Sequence, residues 1–217
     1  MDKMEKIKKL CEEKHIRMID FKITDIDGRW RHITIPVERF CEYTFTYGIG
    51  FDGSNYGYAP IEKSDMVFLP DPDTAYVDPF AEVPTLTMCG NVCTIGKGEN
   101  QPFDQYPKNV SLRALEYMKE SGIADRMIIG PEFEFYLFDS ARYEVNPQQC
   151  GYRIDTKQAD WNCSLDTEGN NGYEVPYKGG YHVASPQDVG YDLRSRMCMM
   201  MEDWGIKVKY HHHEVGG

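Results

Sequence analysis

The sequence predicts an α+β protein built in two parts. Apolar runs of strand length, separated by Gly, Asp and Pro turns, fill most of the first half. Apolar residues at helical spacing predict two helices in the second half, on either side of a strand. A Gly- and Pro-containing break at 96–102 lies between the halves. We therefore expect one domain over residues 1–103 and a second over residues 104–217.

The composition excludes several classes of function. The 217 residues carry a formal net charge of −11, and no basic patch offers a nucleic-acid surface. No apolar run approaches the ~18–20 residues that span a membrane, and the charged N-terminus has no signal-peptide core. The odd number of cysteines, seven, predicts reduced and mostly buried thiols. We expect a cytoplasmic protein with no nucleic-acid or membrane partner.

The first half begins with a predicted helix and hairpin. Four apolar residues at helical spacing predict an amphipathic helix over residues 2–15. Residues 18–22 and 31–35 are predicted strands, and Asp and Gly in the turn at 25–28 favour a hairpin. Pro36 then predicts a short helical turn through Phe40.

A Gly-rich loop at 48–60 is the candidate binding loop of the first half. It contains Asp, Ser, Asn and two Tyr residues among its glycines. Loops of this length are often functional in compact domains, although a plain surface loop has the same composition. Residues 66–69 and 85–94 are predicted strands on its C-terminal side.

The second half contains two predicted helices. The first covers residues 109–121, and the second is opened by Ser185-Pro186-Gln187-Asp188, since Ser can cap and Pro fits the first position. The second helix has a predicted buried stripe of Leu193, Met197, Met200, Met201 and Trp204. Residues 146–180 are rich in Asn, Gln, Gly and Asp, which predicts a long excursion or lid. Residues 206–210 are a predicted strand.

The stretch at 130–139 is the most informative of the second half. It is predicted to be a strand, and in a strand Glu132 and Glu134 share one face with backbones roughly 6.5–7 Å apart. Two carboxylates so placed can hold divalent ions. Phe133, Phe135 and Leu137 take the other face and are predicted to be core. The alternative is a solvent-facing edge of an antiparallel sheet, where this alternation is ordinary.

The segment His211-His212-His213-Glu214 offers a second group of metal-binding side chains. It could form a metal-binding constellation or part of a tag, although a tag would be longer. If the preceding strand alternation continues, His212 and Glu214 share a face. Glu214 could then add a third carboxylate to the site of Glu132 and Glu134, but the spacing does not prove that the segments meet.

An ordered set of motifs resembles the type I glutamine synthetases. The motifs are Phe51-Asp52-Gly53-Ser54, Glu62-Lys63-Ser64-Asp65-Met66, Pro70-Asp71, Asp78-Pro79-Phe80, Gly130-Pro131-Glu132-Phe133-Glu134-Phe135, Gly179-Gly180-Tyr181, Asp192-Leu193-Arg194 and His211-His212-His213-Glu214-Val215. They follow the family's order from about residue 16 onward. The resemblance implies an N-terminal β-grasp domain, followed by the first part of the α/β catalytic domain with an incomplete barrel.

The resemblance also implies a reaction and its cofactors. The family joins glutamate and ammonia in a reaction driven by ATP, with two Mg²⁺ or Mn²⁺ ions in the catalytic domain. By resemblance, Glu134 and Glu214 are ligands of one ion and Glu132 is a ligand of the other. His212 resembles a residue near the nucleotide. One ion helps to activate glutamate, while the other neutralises the migrating phosphoryl group.

Two aspartates of the first half resemble the family's ammonium site. Asp52 resembles the residue that binds ammonium and takes its proton, and Asp65 resembles its partner there. In the family, the loop that carries Asp52 reaches into the neighbouring subunit of a homo-oligomer of twelve subunits. Family members also continue beyond the His-Glu motif with further ligands, so we expect this chain alone to be inactive.

Three other functions stay open at this point. A relative could ligate glutamate to a larger amine, such as a polyamine, although Asp52 and Asp65 together favour ammonia. A short chain could act as a non-catalytic binding or regulatory module that assembles with full subunits. A simple metal-binding protein could be built on His211–Glu214.

Overall fold

The computed structural model describes residues 3–156, 158–159, 161 and 175–216. The chain divides into two compact units, Met1–Ile129 and Gly130–Gly217, and each is described by itself. Helices and strands occur in both units, which confirms the predicted α+β class. The domain boundary between residues 103 and 104 stays a prediction. Much of the predicted lid, at 157, 160 and 162–174, lies outside the described residues.

The first unit contains three α-helices and eight strands within the part that the structure describes. In chain order they are α1 (Lys3–Glu13), β1 (Met18–Thr24), β2 (Trp30–Pro36), α2 (Glu42–Tyr47), β3 (Ile49–Asp52), β4 (Asp65–Pro70), β5 (Tyr76–Val77), β6 (Thr85–Met88), β7 (Gly90–Thr94), β8 (Gln101–Pro102) and α3 (Pro107–Glu120). Short 3₁₀ turns lie at Val37–Arg39, Gly53–Tyr56, Ile61–Lys63 and Pro72–Thr74. The predicted first helix, hairpin and turn after Pro36 are confirmed.

Two four-stranded sheets organise the first unit, with strand orders β2-β1-β6-β5 and β3-β4-β7-β8. In the first sheet β1 runs antiparallel to β2 and parallel to β6. The predicted strand at 85–94 is instead two strands in different sheets, because the chain leaves the first sheet at Cys89. The pattern at 85–94 was interpreted as one strand, although Gly90 and Asn91 interrupt its apolar residues.

The core of the first unit joins the sheets to α1. Alternate residues of β1 point inward, as period-2 geometry requires, and Phe21 is fully buried. Its ring centroid lies 5.8 Å from that of Phe68 on β4. The amphipathic face of α1 adds Met4, Ile7 and Cys11 to the same cluster. Tyr58, in the loop that precedes β4, is buried in the same cluster.

The second unit contains one described hairpin and one described α-helix. Strands β9 (Ser140–Val145) and β10 (Cys150–Asp155) pair antiparallel, and β10 lies within 146–180, where a long excursion or lid was expected. Helix α4 covers Tyr191–Asp203 and begins after Gly190, so the predicted start at Ser185 is wrong. Residues 185–190 instead form the turn that leads into α4.

The predicted strand at 130–139 has no ladder in the described part of the chain, and neither has the one at 206–210. A strand needs hydrogen bonds to a neighbouring strand, and alternation alone does not supply them. The predicted core residues Phe133, Phe135 and Leu137 are exposed, the first of them by 82%. Their assignment as core is therefore wrong for this chain.

The predicted apolar stripe of α4 is also not buried. Leu193, Met197 and Trp204 are exposed, and no residue of the helix is classed as buried. The spacing correctly predicted a helix, but spacing does not supply the surface against which the helix packs.

The thiols are less buried than predicted. Cys11 and Cys93 are buried, but Cys41 and Cys150 are exposed, so the prediction of mostly buried cysteines is wrong. All six cysteines within the described ranges are free, and Cys163 lies outside those ranges. None of the helices that the structure describes has the length and apolar character needed to cross a bilayer.

Candidate active site

Asp52 and Asp65 are brought directly together in the first unit. They are cross-strand partners, at the last residue of β3 and the first residue of β4. Residues opposite each other in an antiparallel pair lie with Cα atoms about 4.5–5.5 Å apart. Both side chains are exposed, and like charges so placed repel each other. A small cation between the carboxylates would relieve this repulsion.

Local hydrogen bonds keep Asp52 anionic. Its side chain caps the 3₁₀ turn Gly53–Tyr56, and Oδ1 accepts a hydrogen bond of 2.8 Å from the Ser54 N–H. Hydrogen bonds from the Ser54 hydroxyl and N–H lower the pKa of the Asp52 carboxyl. A carboxylate with a lowered pKa holds a cation well but is a weaker base. The geometry therefore favours cation binding over proton abstraction at this residue.

The Gly-rich loop is hydrogen-bonded to the β1–β2 hairpin. The Ile26 N–H donates to the Tyr56 carbonyl at 3.1 Å, and the Tyr58 hydroxyl donates to the Thr24 carbonyl. Burial raises the pKa of Tyr58, so its hydroxyl stays protonated and available as a donor. Sequence reasoning did not identify this support, because the two segments are 30 residues apart and carry no shared motif.

In the second unit, Glu134, His212 and Glu214 line one cavity of about 700 Å³. Aromatic side chains form much of its wall, among them Phe135 and Tyr136. The Nε2 atom of His212 lies 3.6 Å from Oε1 of Glu214. Glu132, although two residues from Glu134, does not line this cavity. The structure therefore brings together part of the predicted set.

The segment 211–215, called the His-Glu segment below, lies against the chain at 180–182. The Gly180 N–H donates to the Val215 carbonyl at 3.3 Å, and the His182 N–H donates to the His213 carbonyl at 3.1 Å. A Cβ at Gly180 would lie 2.5 Å from the Glu214 carbonyl oxygen, so only glycine allows this approach. The Gly179-Gly180-Tyr181 motif thus has a physical reason in this chain.

Two family models cover most of the chain. The model described as "Glutamine synthetase, beta-Grasp domain" matches residues 15–95, and the model described as "Glutamine synthetase, catalytic domain" matches residues 104–217. The chain belongs to the glutamine synthetase family. The predicted resemblance is confirmed, as is the fold of a β-grasp domain followed by the start of a glutamine synthetase catalytic domain.

Several relatives of this chain are named glutamine synthetase. The glutamine synthetases of Pasteurella multocida and Frankia alni are each 41% identical to it, over 95% and 99% of this chain. A protein of Cupriavidus pinatubonensis named 3-hydroxylaminophenol mutase is 38% identical over 97% of it. The chain spans about 45% of the length of these curated relatives.

A solved structure has the same fold. The Plasmodium falciparum glutamine synthetase determined by cryo-EM matches with a TM-score of 0.83 and 21% sequence identity. The match covers 100% of this chain and 42% of that chain. At this identity the likeness establishes the fold alone.

The glutamine synthetase family implies divalent metal ions, and the residues present fit such ions in part. Carboxylate oxygens are the ligands that Mg²⁺ and Mn²⁺ prefer, and Glu134 and Glu214 supply them at one cavity. However, no group of three His, Cys, Asp or Glu side chains converges within the described ranges. The roles of Glu132, Glu134, Glu214 and His212 stay predictions.

Proposed function

We propose that the full-length protein joins ammonia to the side-chain carboxylate of glutamate, with ATP as the driving substrate and glutamine as the product. The observation that carries this proposal is the cross-strand pair of Asp52 and Asp65. Two anionic side chains at this separation suit a compact cation such as ammonium better than a bulky amine. Relatives named glutamine synthetase, at 40–41% identity over 95% of this chain, support the same activity.

The reaction proceeds in two steps. The glutamate side-chain carboxylate takes the γ-phosphoryl group of ATP, which leaves ADP and a γ-glutamyl phosphate. The nitrogen of ammonia then attacks the acyl carbon, the C–N bond forms, and phosphate leaves with the C–O bond electrons. Asp52 and Asp65 hold the ammonium before it loses its proton. Ammonium has no lone pair, so Asp52 accepts that proton before the attack. Because the pKa of Asp52 is lowered, this transfer is uphill, and the attack on the acyl carbon draws it forward by consuming the ammonia.

The second unit supplies the residues for metal and nucleotide in this proposal. Glu134 and Glu214 hold one divalent ion, Glu132 holds the other, and His212 lies near the nucleotide. A bound Mg²⁺ or Mn²⁺ ion neutralises negative charge on the transferred phosphoryl group. We also propose a cytoplasmic homo-oligomer, as expected for the family, with a domain boundary near residue 103.

The test is steady-state kinetics of glutamine formation by the full-length protein, with ATP, glutamate, ammonium and Mg²⁺. We expect Asp52→Asn to lower kcat/KM for ammonium by about 10²-fold or more, since the substitution removes both charge and proton acceptor. Asp27→Asn is the matched control, because Asp27 is an exposed aspartate on the neighbouring hairpin. Equal kinetics for the two variants, or no glutamine formed by the unaltered enzyme, would overturn the proposal.

The same assay separates two further candidates. Replacing ammonium with methylamine or a polyamine tests an amine ligase, for which the amine would give the higher kcat/KM. The relative named 3-hydroxylaminophenol mutase motivates a second substitution of substrate. Rearrangement of 3-hydroxylaminophenol without ATP, to a product of equal mass, would assign a mutase instead of a ligase.

A further inference from the structure

A buried ion pair lies next to His211 of the His-Glu segment. The Arg194 Nη2 donates to Oδ2 of Asp188, in the turn before α4, and these side chains are only 15% and 5% exposed. A buried carboxylate is costly without a cation, so Asp188 fixes where the guanidinium lies. Gly190 leaves space for it, since a Cβ there would lie 2.7 Å from Nη1 of Arg194.

The same guanidinium also contacts His211. The Nε–H of Arg194 donates to the Nδ1 of His211 at 3.3 Å. Arginine has no acceptor, so Nδ1 must present its lone pair and carry no proton. The proton of the neutral ring is then on Nε2, which lies 3.2 Å from the hydroxyl oxygen of Ser195.

This arrangement decides what His211 can do. With a proton on Nε2, the ring donates to Ser195 and cannot accept the proton of that hydroxyl. Ser195 and His211 are therefore not a nucleophile and its base. The ring is instead held at both nitrogens by two adjacent residues of α4.

The two sides of the His-Glu segment are thus held differently. On one side, the chain at 180–182 hydrogen-bonds the backbone of His213 and Val215. On the other side, α4 holds the ring of His211 through Arg194 and Ser195. His212 and Glu214, which line the cavity, lie within the stretch so held.

We propose that Arg194 is a positioning residue. Together with Ser195 it holds His211 as the neutral, Nε2-protonated tautomer and so fixes the segment that carries His212 and Glu214. Its importance for catalysis rests on the proposed function of those two residues. A fork of donors is needed, because one side chain must reach Asp188 and His211 at once, and the single ammonium of lysine does not reproduce that geometry.

The test is long-range ¹H–¹⁵N NMR of the full 217-residue chain labelled at histidine. Spectra are recorded about two units above the ordinary histidine pKa of about 6.5, and the His211 signals are identified by their loss in His211→Gln. We expect one pure tautomer with an unprotonated Nδ1. Averaged shifts at His211, which a ring exchanging freely between tautomers gives, would overturn the proposal, as would a protonated Nδ1.

Arg194→Lys separates positioning from charge. The lysine keeps the positive charge for Asp188 but loses the bond to His211, so we expect the ring shifts to move to averaged values. Arg196→Lys, at an exposed arginine of the same helix, is the control and should change nothing. Unchanged His211 shifts in a folded Arg194→Lys chain would refute the role.

Ser195→Ala provides a second test if Arg194→Lys does not fold. We expect the unprotonated Nδ1 to persist while the hydrogen on Nε2 exchanges faster with water, since its acceptor is gone. An unchanged exchange rate would contradict the proposed contact. None of these signals depends on glutamine formation, so the proposed function and this proposal can fail separately.

Discussion

The carboxylate of Asp20 shows how one buried residue ties the first sheet together. Oδ1 contacts the Nδ1 of His32 at 2.7 Å and accepts a hydrogen bond from the Thr34 hydroxyl, while Oδ2 lies 2.9 Å from the Lys22 ammonium. Burial alone raises the pKa of Asp20, but these bonds from Thr34, Lys22 and His32 outweigh it and leave the pKa below its usual value.

This lowered pKa makes stability depend on pH. The unfolded carboxyl has a pKa of about 3.9, so the stabilisation is present above that pH and is lost as the pH falls through the lower folded-state pKa. We expect Asp20→Asn to reduce the free energy of unfolding by about 2–3 kcal/mol at pH 7, and by much less at acidic pH. Urea unfolding across this pH range measures it.

The control for Asp20 is the exposed Asp27→Asn, for which we expect a change within about 0.5 kcal/mol at every pH. A constant difference between Asp20→Asn and the unaltered chain from pH 7 to acid would show that the carboxylate charge contributes nothing. No sequence pattern predicted this network. Its members are polar residues of two strands, and only the register aligns Asp20 with Thr34 and Lys22 with His32.

Among the elements, β4 connects the packed core to the candidate ammonium site. It pairs with both β3 and β7, it begins at Asp65, and Phe68 in its middle is fully buried. We expect Phe68→Ala to lower the free energy of unfolding by about 3–5 kcal/mol, because it leaves a cavity between packed sheets. Phe80→Ala is the matched control, since Phe80 is 85% exposed and its loss should cost under about 0.5 kcal/mol.

Chemical denaturation of the two variants, followed by circular dichroism, decides this prediction. Similar losses for Phe68→Ala and Phe80→Ala would mean that β4 is not packed as the structure has it. The comparison also separates a buried phenylalanine from an exposed one. Phe68 lies within the apolar run at 66–69, and its tertiary neighbours make it core, whereas Phe80 follows Asp78 and Pro79 and is exposed.

The elements were predictable where local rules decide them, and not where distant partners do. The Asp and Gly residues of the turn at 25–28 were enough to predict the β1–β2 hairpin, because its strands are adjacent in sequence. The segment at 130–139 has the same strand-like pattern but no ladder within the described ranges. The candidate functional residues divide in the same way: the motifs included Asp52, Asp65 and Arg194, whereas the contacts of Arg194 and Ser195 with His211 emerged only from the structure.

At the scale of the whole molecule, the second unit leaves a large apolar surface uncovered. Phe133, Tyr143 and Tyr152 are each at least 82% exposed, and Tyr143 lies opposite Tyr152 in the β9–β10 hairpin. The backbone at 130–139 adds groups without a ladder in the described structure. Exposed apolar patches and unpaired strand-like edges favour association between molecules. We therefore expect this chain to self-associate as its concentration rises.

Phe133→Lys tests whether this surface is responsible. It changes the formal net charge from −11 to −10, which weakens repulsion between molecules, so any fall in association must come from the lost apolar contact and the lysine placed at the edge. Phe80→Lys makes the same change of charge at an equally exposed phenylalanine of the first unit. Sedimentation velocity over a concentration series should show a smaller weight-average mass for Phe133→Lys alone. An unaltered chain that stays monomeric throughout, or an equal effect of Phe80→Lys, would show that the second unit's bare surface does not drive association.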